Sequence, residues 1–210
     1  MSGIRNIIFD LGGVILDIDY KRPVDAFKKL GLPAFHDLYS QTEQDHLFDD
    51  FEKGKISPTQ FRESIRNHTN IPLSDREIDD AWNSILVELR EKNVRMLREL
   101  RKKYRLFLLS NTNALHEAAY RELIIFQHGS FVFDELFEKI YLSHHLHMRK
   151  PDAEIFQFVL RDAGLVPGET IFIDDGQKNV DGGIKAGIPS YFKSINEDIE
   201  DFLRSLGLDF

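Results

Sequence analysis

Apolar residues along the chain gather in two alternating patterns. Short continuous runs rich in β-branched and aromatic residues form the first: Ile4 to Phe9 is such a run, broken by Asp10-Leu11-Gly12-Gly13, and it reads as a strand buried on both faces. Similar runs recur at Tyr104 to Leu109, Lys139 to Leu142, Thr170 to Ile173 and Pro189 to Phe192. Segments of helical period separate most of them. Pro151 is placed to open one helix as its first residue, with Phe156, Val159 and Leu160 as an apolar stripe and Gly164 as a stop. This alternation predicts an α/β fold, a doubly wound parallel sheet covered by helices on both faces.

Between Asp19 and Lys92 the alternation stops and no strand is expected. Helical patterns with their own punctuation fill the stretch: Val24 to Leu30 before Gly31, Phe48 to Lys53 before Gly54, and a helix started by Ser57-Pro58. Ser74-Asp-Arg-Glu77 then has capping-box spacing ahead of Ile78, Trp82, Ile85 and Leu86. The expected organisation is a core of residues 1–16 and 93–210, with a helical module, residues 17–92, inserted after the first strand. Trp82 and the 17 phenylalanines are expected to be helix-face core, including the seam between the two parts.

Composition narrows the class. With 42% hydrophobic and 30% charged residues the chain is ordinary globular material. It has no cysteine, which removes disulfides, thiolate metal sites and a cysteine nucleophile, and makes the cytoplasm the default location. No apolar run approaches the roughly 18 residues of a membrane span, and Met1-Ser2-Gly3 leads into the first strand without a signal-peptide pattern. A net charge of −8 argues against nucleic acid. A small anionic ligand would then need local positive charge from a Lys or Arg, a helix amino end or a metal ion.

Ligands of open parallel sheets bind at the carboxyl ends of the strands. The residues there are Asp10 with Gly12 and Gly13, then Ser110-Asn111-Thr112-Asn113, Arg149-Lys150-Pro151 and Asp174-Asp175-Gly176. Each has an ordinary reading alone: a turn former, helix caps, a solvated lysine, an acidic turn. Together, three carboxylates, a hydroxyl-amide pair and one lysine suit oxygen-ligated Mg²⁺ rather than zinc. A carboxylate held by such an ion beside a phosphate can attack phosphorus, with Lys150 neutralising the equatorial oxygens.

These motifs resemble those of the haloacid dehalogenase-like hydrolases over essentially the whole chain. Phe9-Asp10-Leu11-Gly12-Gly13-Val14 is similar to their first motif, Leu109-Ser110-Asn111-Thr112 to the second, Met148-Arg149-Lys150-Pro151 to the third, and Ile173-Asp174-Asp175-Gly-Gln-Lys-Asn179 to the fourth. The resemblance implies a Rossmann-like core with a helical cap. It makes Asp10 the nucleophile and a metal ligand, the Gly12 carbonyl a second ligand, Asp175 the main acidic ligand and Asp174 a direct or water-mediated one. Ser110 and Asn111 would bind the transferring phosphoryl group, Lys150 would pair with that group and with Asp10, and Asn179 would stand behind them.

One position departs from the family pattern. Most of its phosphatases carry a second Asp two residues after the nucleophile to protonate the leaving group, and here that residue is Gly12. General acid/base catalysis contributes about 10²- to 10⁴-fold, so a mutase is disfavoured and a phosphate with an acidic leaving oxygen, such as a sugar 1-phosphate, is favoured. Asp17, Asp19 and His46 are the substitutes considered, each first read as a capping or solvated residue. His144, His145 and His147 are expected to lack an acidic partner. The expected activity is a Mg²⁺-dependent phosphomonoesterase acting on a small phosphometabolite, in the bacterial subgroup resembling α-D-glucose-1-phosphate phosphatases. The competing readings are a phosphometabolite-binding pseudo-phosphatase and a metal-free 2-haloacid dehalogenase.

Overall fold

A computed structural model describes residues 3–33, 35, 47–130 and 132–210. Five parallel strands, β1 (Asn6–Phe9), β4 (Arg105–Ser110), β5 (Lys139–Leu142), β6 (Thr170–Asp174) and β7 (Ser190–Phe192), form one sheet in the order β5-β4-β1-β6-β7. All four residues of β1 are buried. Alternation sends Ile7 and Phe9 to one apolar cluster, with Leu106, Leu108, Ile171 and Ile173, and Ile8 to another, with Phe107, Leu109 and Phe172. The first cluster is closed by α5 (Glu91–Leu100) through Val94, Leu97 and Leu100, and by α11 (Ile199–Ser205) through Phe202 and Leu203. The second is closed by α9 (Ala153–Asp162) through Ile155, Phe156 and Val159. Covering both faces is what lets the unbroken apolar runs of residues 7–9, 106–109 and 171–173 persist.

The chain leaves β1 for β4 and β5 on one side, then returns to β6 and β7 on the other. β1 therefore stands where the strand order reverses, so a crevice opens at its carboxyl end. Asp10 is the first residue of that crevice.

The inserted stretch contains α1 (Lys21–Lys29), α2 (Leu47–Glu52), α3 (Pro58–Asn67) and α4 (Asp75–Asn83). Ser74 with Glu77 forms the capping box its spacing predicts, and Ser57 with Gln60 forms a second one. Among the described residues, a third apolar cluster, including Phe27, Phe48, Phe51, Phe61, Ile78 and Trp82, draws only Leu115 of α6 (Ala114–His128) from elsewhere. Phe51 stacks on Phe61 with ring centroids 4.4 Å apart.

Two expectations fail. A strand does lie between Asp19 and Lys92: β3 (Leu86–Glu88) pairs antiparallel with β2 (Asp17–Ile18). Elements of two and three residues are too short to show a period. Pro151 does not begin a helix: α9 starts at Ala153 behind the N-cap Asp152, and the Lys150–Pro151 peptide is cis. No described helix is long and apolar enough to cross a membrane.

Candidate active site

Lys150 is the centre of the constellation. Its side chain is fully buried, and Nζ donates to Asp10 Oδ1 (2.6 Å), Asp174 Oδ2 (2.6 Å) and the Leu109 carbonyl (2.8 Å). An ammonium has three hydrogens, so every one has an acceptor, which makes a charge in this interior tenable. Two attractive carboxylates keep Lys150 protonated, its pKa raised although burial alone would lower it. Asn111 fixes the main chain around it: Nδ2 donates to the Lys150 carbonyl and Oδ1 accepts from the Lys150 N–H, both at 2.9 Å. These bonds use one of the two Nδ2 hydrogens, and Asn111 lines the cleft. Ser110 ends β4, is buried, and lines the same cleft.

Asp10, Asp174 and Asp175 bring carboxylate oxygens within 4.8 Å of one another. Three negative charges then share one ammonium. Burial, opposed by Lys150 and reinforced by the neighbouring carboxylates, raises Asp10 to about 7. Burial and Asp174 raise Asp175 to about 6. An all-oxygen donor set whose own repulsion a cation would relieve suits a hard divalent ion. The members are not equivalent. Asp174 is wholly buried and spends Oδ2 on Lys150 and Oδ1 on the Gly176 N–H (2.7 Å) and Asn179 Nδ2 (2.9 Å). Asp10, Gly12 and Asp175 face the cleft.

The loop after β1 is held from three sides. The Asp10 N–H donates to the Ile173 carbonyl (2.9 Å), Asn93 of α5 donates to the Ile15 carbonyl (2.8 Å), and Lys193, just past β7, donates to the Gly13 carbonyl (3.0 Å). Burial lowers the Lys193 pKa.

The cleft is about 230 Å³. Ile18 of β2, Leu86 of β3 and Glu52 of α2 line it, as does Trp82 of α4, stacked on His116 with centroids 4.7 Å apart. Sequence reading placed Trp82 in the core, and it is there, but it also walls the cleft. It missed Glu52 and His116, which carry no motif. The strand pair β2–β3 was equally invisible.

Of the considered substitutes, Asp17 pairs with Arg90 and Asp19 accepts the Lys21 N–H (2.9 Å), and neither lines the cleft. His46 lies outside the described residues. The histidine expectation needs correction: Glu117 of α6 lies 3.0 Å from Nε2 of both His144 and His145, an acidic partner from a distant part of the chain. His147 instead donates to the Lys53 carbonyl (2.9 Å).

A model of the haloacid dehalogenase-like hydrolase family matches residues 7–192. Over 190 residues, 90% of this chain and 91% of the relative, the chain is 35% identical to the D-ribitol-5-phosphate phosphatase of Bacteroides thetaiotaomicron. A crystal structure of a HAD family enzyme from that bacterium has a TM-score of 0.89 and 39% identity, covering 97% of this chain and 100% of that one. The wild-type complex of that enzyme with magnesium and inorganic phosphate has a TM-score of 0.84 and 38% identity, covering 96% and 100%. The chain belongs to the haloacid dehalogenase-like hydrolases.

Proposed function

We propose that the protein is a Mg²⁺-dependent phosphomonoesterase acting on a small phosphorylated sugar or sugar alcohol, with residues 17–92 as a helical cap over a core of residues 1–16 and 93–210. The observation that carries this reading is the Lys150 ammonium shared by Asp10 and Asp174 beside a third carboxylate, Asp175. Asp10 and Asp175 would hold Mg²⁺ with the Gly12 carbonyl, and Asp174 directly or through water. The ion supplies positive charge against the phosphoryl oxygens.

The Asp10 carboxylate attacks phosphorus, the ester P–O bond breaks, and the alcohol oxygen leaves with a proton taken from water or an acid of the cleft. Water then attacks the aspartyl-phosphate at phosphorus, releasing inorganic phosphate and Asp10. Lys150 holds the Asp10 carboxylate in place and offers charge to the phosphoryl group. Ser110 and Asn111 bind that group, and Asn179 keeps Asp174 oriented. Trp82, His116, Ile18 and Leu86 contact the alcohol part, where half-apolar walls suit a polyhydroxyl chain or ring.

Gly12 places no acid at its own position, which taken alone favours acidic leaving oxygens and hence a sugar 1-phosphate. The relative named for D-ribitol 5-phosphate favours a primary ester. Turnover of glucose 1-phosphate, ribitol 5-phosphate and p-nitrophenyl phosphate, with Mg²⁺ and with a chelator, separates these. Metal-dependent hydrolysis abolished by Asp10→Asn is expected, with glucose 1-phosphate the best natural ester. No metal-dependent turnover of any ester would overturn the proposal, and preference for ribitol 5-phosphate would overturn the 1-phosphate assignment alone.

A further inference from the structure

Breaking an alkyl ester needs a group that gives the leaving oxygen a proton and later takes one from water. Gly12 has no side chain to do so, and the other described ionisable groups facing the cleft are committed or unsuited. Asp10 is the nucleophile, Asp175 a metal ligand and Lys150 a fully bonded cation. His116 has been driven down to about 3 by burial, and its Nδ1, 2.9 Å from Asn83 Oδ1, donates there, leaving Nε2 an acceptor. Tyr120 is pushed up by burial. Tyr20 is a half-exposed phenol, and phenols, ionising near 10, supply too little base at neutral pH for the second step.

Glu52 remains, and resting on the phosphatase reading above, we propose that it is the proton donor and acceptor of this enzyme. It ends α2 and lines the cleft with Asp10 and Lys150 although it comes from the inserted helices. The segment that carries it is docked on the third-motif loop. The Lys53 carbonyl accepts from His147 Nδ1 (2.9 Å), Lys53 Nζ lies 3.3 Å from Asp152, and Asp49 pairs with Arg149. Glu52 Oε2 is buried and lies 3.0 Å from Arg149 Nη2, an ion pair without hydrogen-bond geometry. Arg149 faces both Asp49 and Glu52. Burial, with Asp10 adding to it and Lys150 opposing, raises the Glu52 carboxyl to about 7, where a group can serve as acid and then as base.

The competing role is a latch, in which Glu52 only holds α2 to Arg149. The two differ in leaving-group dependence. A proton donor matters greatly for an alkoxide and little for a nitrophenolate, whereas a latch affects every ester alike. Turnover of p-nitrophenyl phosphate, phenyl phosphate and ribitol 5-phosphate is measured for wild type and Glu52→Gln in Mg²⁺. The expected loss of kcat/KM for ribitol 5-phosphate exceeds that for p-nitrophenyl phosphate by about 10²-fold or more, steepening the dependence of rate on leaving-group pKa. Equal losses across the series overturn the proposal while leaving the phosphatase reading intact; no wild-type turnover of any ester overturns that reading instead. Glu52→Asp, read by the same ratio, serves if the Gln variant does not fold. An unchanged ratio there overturns the proposal as well.

Discussion

Asp175 occupies the space that a side chain at position 13 would need. A Cβ built on Gly13 would fall 2.3 Å from Asp175 Oδ2, and Gly13 has a φ of +74°. The absence of a side chain thus lets the acidic strand end of β6 approach the loop after β1, which brings Asp175 toward Asp10.

Gly13→Ala should therefore fail in two ways. A non-glycine residue at this φ costs about 1–2 kcal/mol, and the methyl displaces Asp175 from the proposed metal site. Mg²⁺ affinity by calorimetry should fall at least tenfold, with a modest drop in melting temperature. A variant that binds Mg²⁺ as wild type would place the ion away from Asp175.

Lys150→Met leaves Asp174, wholly buried, without its cation. Removing one partner of a buried ion pair costs about 3–5 kcal/mol, and urea unfolding should show a loss of that order along with abolished turnover. A loss below about 1 kcal/mol would mean the pair is better solvated than its burial indicates.

The raised carboxyls set a pH dependence for the metal-free protein. Asp10 titrates near 3.8 when unfolded and near 7 when folded, and Asp175 near 6. The folded state then holds more protons than the unfolded one across this window, so stability falls as pH rises from about 4 to about 7. Asp10→Asn, permanently neutral, should remove the Asp10 share. In a chelator at pH 7.5 it should melt higher than wild type, and the difference should shrink toward pH 4. Mg²⁺ should stabilise wild type by mass action and Asp10→Asn much less. A variant that melts lower at pH 7.5 would contradict the charge count of three carboxylates against one ammonium.

The centre of the sheet was legible because β1, β4 and β6 are buried almost throughout and carry unbroken apolar runs. Asp10, Ser110, Lys150, Asp174 and Asp175 were legible as strand-end residues, and the structure brings them to one crevice. Their bonding was not: nothing in the sequence says that Asp174 serves Lys150 with one oxygen and Gly176 and Asn179 with the other. Glu52 was invisible because its place in the cleft depends on how α2 docks on the third-motif loop, and β2–β3 because a pair of two and three residues carries no period. Glu117 of α6 meets His144, in the short helix Ser143–Leu146 that follows β5, only through tertiary packing.

The central claim is that Asp10 takes the phosphoryl group. A single-turnover reaction with excess enzyme, Mg²⁺ and a hydrolysed ester, acid-quenched before phosphate release and analysed by peptide mass spectrometry, tests it directly. The account predicts a transient phosphoryl adduct on the peptide carrying Asp10, absent from Asp10→Asn. An adduct on another residue, or an Asp10→Asn variant that still turns over, would contradict it.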